Sequence, residues 1–217
     1  MKYNAVIFDM DGLLFDTELV YYEASQVVAD KMGLPYDKEL YLRFLGVSDE
    51  EVWANYHRIF ADFGKQNVQR FIKDSYQETL DRFSRGAVQM KPGVLELLSF
   101  LEDHQIPKVV ASSNQRKVIE LLLSKNNLLD RFQEIVSAEN VQRAKPDPEI
   151  FLLAQEKLGI PKPETLILED SQNGILAASA AQIPVVMVPD LLAPSPELIR
   201  KTAGVVSSLH EIPALIK

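Results

Sequence analysis

Two carboxylates stand two residues apart in Phe8-Asp9-Met10-Asp11-Gly12, directly after the apolar run Ala5-Val6-Ile7-Phe8. On an extended chain the side chains at i and i+2 share a side, so Asp9 and Asp11 can address one ligand. Paired acids can divide labour: one attacks as a nucleophile while the other moves protons. They can also hold a hard cation through oxygen. Gly12 allows a turn at positive φ and a close approach of backbone to a ligand. A plain turn leading into a helix cap uses the same residue types, so the segment gains meaning only with other polar groups beside it.

Those groups recur at the ends of later apolar runs. Val109-Val110-Ala111 is followed by Ser112-Ser113-Asn114, Lys145 precedes Pro146, and Leu166-Ile167-Leu168 is followed by Glu169-Asp170-Ser171. Each has an ordinary structural use. Ser112 could cap a helix, Lys145 could be a solvated charge, and Glu169 and Asp170 could be acids favoured by a helix dipole. Packing alone, however, gives no reason for four strand ends to deliver polar groups to one edge of a sheet. Open α/β sheets bind ligands at that edge, beyond the carboxyl ends of the strands.

The elements that must position these groups are legible in the hydrophobic pattern. Apolar runs at Ala5 to Phe8, Lys108 to Ala111, Glu134 to Val136, Thr165 to Leu168 and Pro184 to Val188 are continuous rather than alternating. That is the signature of parallel strands covered on both faces. Between them, Val94, Leu97, Leu98 and Leu101 recur at helical steps, as do Val118, Leu121, Leu122 and, beyond them, Leu128. Asp147 followed by Pro148 predicts the cap and first position of another helix, and a further helix is expected to start near Ser171. Strands alternating with helices predict an α/β fold, a doubly wound parallel sheet with a Rossmann-like core.

Residues 17–86 break the rhythm. They carry helical patterns, Val52, Tyr56, Ile59, Phe60 and Phe63, then Val68, Phe71, Ile72, Tyr76, Leu80 and Phe83, and no strand-like run. An insert of that length far exceeds an ordinary βα loop. The expected organisation is an α/β core of residues 1–16 and 87–217 and an inserted α-helical cap domain of residues 17–86. The linkers fall near Asp16 and between Gly86 and Pro92. Trp53 and the cap's Phe and Tyr residues fit helix packing, and Asp49-Glu50-Glu51 fits the acidic first turn of a helix capped by Ser48. His57, His104 and His210 are scattered and predict no catalytic role.

Composition narrows the function. The chain has 217 residues, 47% of them apolar and 25% charged, with a formal charge of −8. These values suit a globular enzyme rather than a disordered chain. No dense run of Lys and Arg offers the basic stripe that a nucleic-acid binder needs. With no cysteine, disulfides, thiolate metal sites and cysteine nucleophiles are excluded. The short apolar N-terminal run falls below a signal-peptide core or a membrane span. A cytoplasmic protein, with a monomer as the default, is expected.

In motif order and spacing, over essentially its whole length, the sequence resembles the haloacid dehalogenase-like hydrolases. Within them it is similar to the branch that holds beta-phosphoglucomutase and phosphatases with a helical cap. The resemblance implies a magnesium-dependent phosphatase of small phosphorylated metabolites, sugar phosphates first, working through an aspartyl phosphate on Asp9. Asp11 would be the acid–base. Asp9, Asp170, the Asp11 main-chain carbonyl and Glu169 would hold Mg2+. Ser112 and Lys145 would hold phosphoryl oxygens, helped by backbone near Met10, Asp11 and Ser113, with Asn114 also on the substrate side. Gly46 to Asp49 is the expected substrate-selecting loop.

Two alternatives stand beside this reading, the first from the same resemblance and the second from a different class of protein. A phosphohexomutase like beta-phosphoglucomutase would need a second anion site, and the cations that serve it in the family are missing here. Asp49 stands where those mutases carry an Arg, Tyr21 where they carry a His, and Gln115 where they carry a Lys. Lys73 lies near in register to a cap lysine, and Arg116 and Lys117 could compensate in part. The second alternative is a phospho-accepting signalling module without turnover. The inserted cap argues against it, because such modules leave the site open to a partner.

Overall fold

The computed structural model describes residues 1–45, 47, 49–86 and 88–217. Gly46 and Ser48, which carry the expected substrate-selecting loop and helix cap, lie outside the described residues, as does Ala87. The chain divides into two compact units, Met1–Asp16 with Gln89–Lys217, and Thr17–Val88.

In chain order the elements are β1 (Ala5–Phe8), α1 (Thr17–Met32), α2 (Lys38–Leu42), α3 (Asp49–Ile59), α4 (Lys65–Ser84), α5 (Val94–Asp103), β2 (Lys108–Ala111) and α6 (Arg116–Lys125). They continue with β3 (Ile135–Val136), α7 (Glu149–Leu158), β4 (Thr165–Glu169), α8 (Gln172–Ala181), β5 (Val185–Met187), α9 (Pro196–Ile199), β6 (Gly204–Val205) and α10 (Ile212–Ile216). Among the described residues, six strands form one sheet in the order β3-β2-β1-β4-β5-β6, and every named pairing is parallel. This is the doubly wound order in which the winding reverses between β1 and β4.

Both faces of that sheet are dry, which explains the continuous apolar runs. Ile7, Val109, Ile167 and Val185 pack with Ile150, Phe151 and Ala154 of α7 and Ile175 and Ala178 of α8. The alternating residues Val6, Phe8, Val110, Leu166 and Leu168 point to the other face and are also fully buried. Two expectations need amendment. β6 shows no sequence signal, because Gly204 and Val205 are half-buried or exposed and too few to form a pattern. The helix after Lys145-Pro146 starts one residue later than expected, at Glu149. Asp147 Oδ1 accepts the Glu149 N–H at 3.0 Å, so the aspartate still caps the turn.

The helical unit has its own core. Val28, Ala29, Leu34, Tyr36, Leu40, Tyr56, Phe60, Val68 and Phe71 form one buried cluster, with Phe71 edge-on to Tyr56 at 5.5 Å and to Phe60 at 5.9 Å. The buried stripe of α4 runs through Val68, Phe71, Ser75, Thr79 and Phe83, not through Tyr76, which is exposed. The stripe tolerates Thr79 because its hydroxyl donates to the Ser75 carbonyl at 2.9 Å. Trp53, expected in the packing, is also exposed, as are Ile59 and Phe63.

Candidate active site

Strand register brings the acids together. Phe8 pairs with Leu168 on one side and Val110 on the other. The next residues, Asp9, Glu169 and Ala111, therefore end their strands level with one another. The Asp9 N–H donates to the Leu168 carbonyl at 3.0 Å and the Ser112 N–H to the Val136 carbonyl at 3.0 Å, so the backbone stays fixed up to the reactive side chains.

Lys145 ties the centre. Its Nζ donates to Asp9 Oδ1 at 2.5 Å, to Glu169 Oε1 at 2.8 Å and to the Ala111 carbonyl at 3.5 Å, and lies 4.6 Å from the centroid of the Phe151 ring. Lys145, Asp9 and Glu169 are all buried. A buried ammonium survives only with partners. Burial alone would strip its proton, but Asp9 and Glu169 outweigh that and hold its pKa above the ordinary lysine value. Burial raises the Asp9 pKa despite the opposing ammonium, and Glu169 and Asp11 add to the rise by repulsion.

Asp11 faces a different set of groups. Its Oδ2 accepts the Ser112 hydroxyl at 3.2 Å and Asn114 Nδ2 at 2.8 Å, and Ser112 Oγ in turn accepts the Asn114 N–H at 3.1 Å. Asn114, expected on the substrate side, thus spends an amide donor on Asp11. Ser113 is exposed beside this group and shares the wall of a cavity of about 140 Å³ with Lys145 and Ile150.

Oxygen atoms of Asp9, Glu169 and Asp170 all lie within 4.8 Å of one another. Three hard anionic donors at that spacing suit a divalent cation of the magnesium type, and one ammonium cannot balance three carboxylates. The geometry also leaves room that only glycine permits. A Cβ on Gly12, where φ is +75°, would sit 2.3 Å from Asp170 Oδ2. A Cβ on Gly174 would sit 1.6 Å from Glu169 Oε1, so the first turn of α8 rests directly on that carboxylate. The same turn is capped by Ser171 Oγ, which accepts the Gly174 N–H at 3.1 Å, while Glu169 Oε2 accepts the Ser171 N–H at 2.6 Å.

All eight residues singled out in the sequence lie at or just beyond the carboxyl ends of β1, β2 and β4 or on the loop before α7. The pattern passed over Gly174, whose role shows only in its distance to Glu169. It also passed over Asp190, an acid just past β5 and findable by the same rule that found Asp9 and Glu169.

Comparison with known proteins places the chain among relatives. A family model described as haloacid dehalogenase-like hydrolase matches residues 6–188. A phosphorylated carbohydrates phosphatase of Thermotoga maritima is 34% identical over 215 residues, covering 99% of this chain and 90% of that protein. The beta-phosphoglucomutase of Bacillus subtilis is 28% identical over 186 residues, covering 82% and 80%. A Thermotoga maritima crystal structure, provisionally assigned as a beta-phosphoglucomutase, superposes with a TM-score of 0.82 at 32% identity, covering 98% of each chain.

Proposed function

We propose that this chain, which belongs to the haloacid dehalogenase-like hydrolases, is a magnesium-dependent phosphatase of phosphorylated carbohydrates. The observation that carries the reading is the meeting of Asp9, Glu169 and Asp170 at the ends of β1 and β4, with Lys145 bridging the first two. The substrate class is that of the 34% identical relative, named as a phosphatase of phosphorylated carbohydrates.

In this mechanism Asp9 attacks phosphorus in line, forming the aspartyl phosphate as the bond to the leaving oxygen breaks. Asp11 gives that oxygen its proton. It then takes a proton from the water that attacks the aspartyl phosphate, releasing phosphate and restoring Asp9. Ser112 and Asn114 hold the Asp11 carboxyl in one orientation through both steps. Lys145 offsets charge on the transferring group. Asp9, Asp170, Glu169 and the Asp11 carbonyl would hold magnesium, which would neutralise phosphoryl charge and polarise its oxygens.

The experiment is phosphate release from a panel of phosphorylated sugars, with magnesium and with exhaustive chelation. Hydrolysis that needs magnesium is expected, and full activity in chelator would sink the mechanism. Labelling by acetyl phosphate without turnover of p-nitrophenyl phosphate would point instead to the signalling module.

The mutase reading has less support. Arg116, which could have served a second phosphate, has its guanidinium on the Ile135 carbonyl at 2.7 Å and on Glu120 at 3.4 Å. Negligible conversion of beta-glucose 1-phosphate to glucose 6-phosphate is therefore expected, even with a bisphosphate activator. Isomerisation faster than phosphate release in a coupled assay would move the chain into the mutase group.

A further inference from the structure

The fifth strand also ends near an acid. Asp190 lies just past β5, and its side chain is only 7% exposed. One oxygen, Oδ1, accepts Lys91 Nζ at 2.5 Å. The other, Oδ2, is buried and has no hydrogen-bond partner among the described residues. An ionised carboxylate can only accept, and a buried acceptor left without a donor is uncommon enough to need a reason.

Its surroundings supply one. A Cβ built on Gly12 would lie 3.2 Å from Asp190 Oδ2 and 2.3 Å from Asp170 Oδ2. The two oxygens therefore border the same space above Gly12, and Asp170 belongs to the acidic trio. Asp190 itself is not among the three carboxylates whose oxygens lie within 4.8 Å of one another, so it stands one layer outside them.

We propose that Asp190 is a positioning residue of the cation site, its Oδ2 accepting a hydrogen bond from a water carried by the divalent cation. This rests on reading Asp9, Glu169 and Asp170 as a magnesium site. Magnesium parts with its waters reluctantly and usually keeps several. Those waters are polarised by the ion and need acceptors in the next layer. Lys91 fixes the orientation of Asp190 by holding Oδ1, and its charge offsets a fourth carboxylate beside an acidic trio.

The test is magnesium binding to metal-free protein by titration calorimetry, for the wild type, Asp190→Asn, Asp190→Ala and Lys91→Met, each with its metal-free thermal midpoint. In Asp190→Asn the Lys91 ammonium claims the amide oxygen, which turns the amide NH2 towards the water position, where donor meets donor. Loss of such an outer partner commonly weakens metal binding about 10- to 100-fold. That loss is expected in both Asp190 variants, with a smaller one in Lys91→Met, where the acceptor remains. Asp190 variants that bind magnesium as tightly as the wild type would overturn the proposal. So would Lys91→Met weakening binding as much as Asp190→Asn, because the ion pair alone would then account for the effect. A wild type that binds no magnesium would remove the trio reading and this inference with it. A wild type that binds while the Asp190 variants are unaffected removes this inference alone.

Discussion

At the scale of single residues, Asp9 and Asp11 have different partners although both are aspartates, and the proposed mechanism gives them different work. Asp9 is buried against Lys145 and is itself one of the three grouped carboxylates; in the proposed mechanism it supplies the attacking oxygen. Asp9→Asn is expected to leave no phospho-enzyme and no turnover. Asp11 is steered by a hydroxyl and an amide, and Asp11→Asn is expected to lose acid–base help, about 100- to 10,000-fold in rate. Wild-type turnover by Asp9→Asn would show that the nucleophile is another group. Gly174 makes a sharper case, because there stability and activity should move apart. Alanine favours a helix over glycine by about 1 kcal/mol, so Gly174→Ala should not weaken α8 by propensity. Its Cβ would, however, meet Glu169 Oε1 at 1.6 Å and push that carboxylate off Lys145. Helix content by circular dichroism should hold while the magnesium concentration needed for half-activity rises. Unchanged magnesium dependence would show that Glu169 is free to move aside without consequence.

At the scale of elements, α5, β2 and the turn after Leu128 are fastened by one acid. Glu102 on α5 accepts Arg131 Nε at 2.9 Å and Nη2 at 2.6 Å and pairs with the buried Lys108 of β2 at 3.2 Å. The hydrogen bond from Arg131 and the pairing with Lys108 lower the Glu102 pKa from 4.5 to about 2. A lowered folded-state value contributes stability that is present above the unfolded value and lost as pH falls through the folded one. The urea midpoint of Glu102→Gln should therefore lie below that of the wild type at neutral pH, and the gap should narrow between pH 4.5 and about 2. A gap independent of pH would mean that packing, not charge, sets the difference. Elements of this kind were legible in the sequence wherever both faces of a strand are buried, as in β1, β2 and β4. They were obscure where the period misleads. The α4 stripe includes Ser75 and Thr79, which hydropathy reads as a polar face, while the apolar Tyr76 on the same helix is exposed. The site was legible for a related reason: parallel strands all deliver their C-terminal neighbours to one edge, so chain order alone located Asp9, Ser112 and Glu169. Chain order could not give side-chain direction, hence the pairing of Asn114 with Asp11 and the approach of Gly174 to Glu169.

At the scale of the whole molecule, the acidic site exists only because the fold joins distant parts of the chain. Lys145 lies 136 residues from Asp9 and 24 from Glu169, and no unfolded chain would hold those groups within reach of one cation. A ligand that binds the folded state alone adds stability by mass action, about 2.7 kcal/mol at a concentration one hundred times its Kd. For a chain of this size that corresponds to roughly 5–10 °C in midpoint. The chain's formal charge of −8 would also draw magnesium to exposed acids, but such weak sites are screened by salt. Calorimetric scans should therefore show the midpoint rising with magnesium at moderate ionic strength, and Asp170→Asn, which removes one of the three grouped carboxylates, should abolish most of the rise. The cooperative unit that responds should be the one built from residues 1–16 and 89–217, since it alone supplies the trio. A variant of the helical unit such as Phe71→Ala, which empties a buried aromatic cluster at about 3–5 kcal/mol, should lower stability yet leave the magnesium-dependent rise intact. If Asp170→Asn keeps the full rise, the stabilising cation sits somewhere other than the ends of β1 and β4.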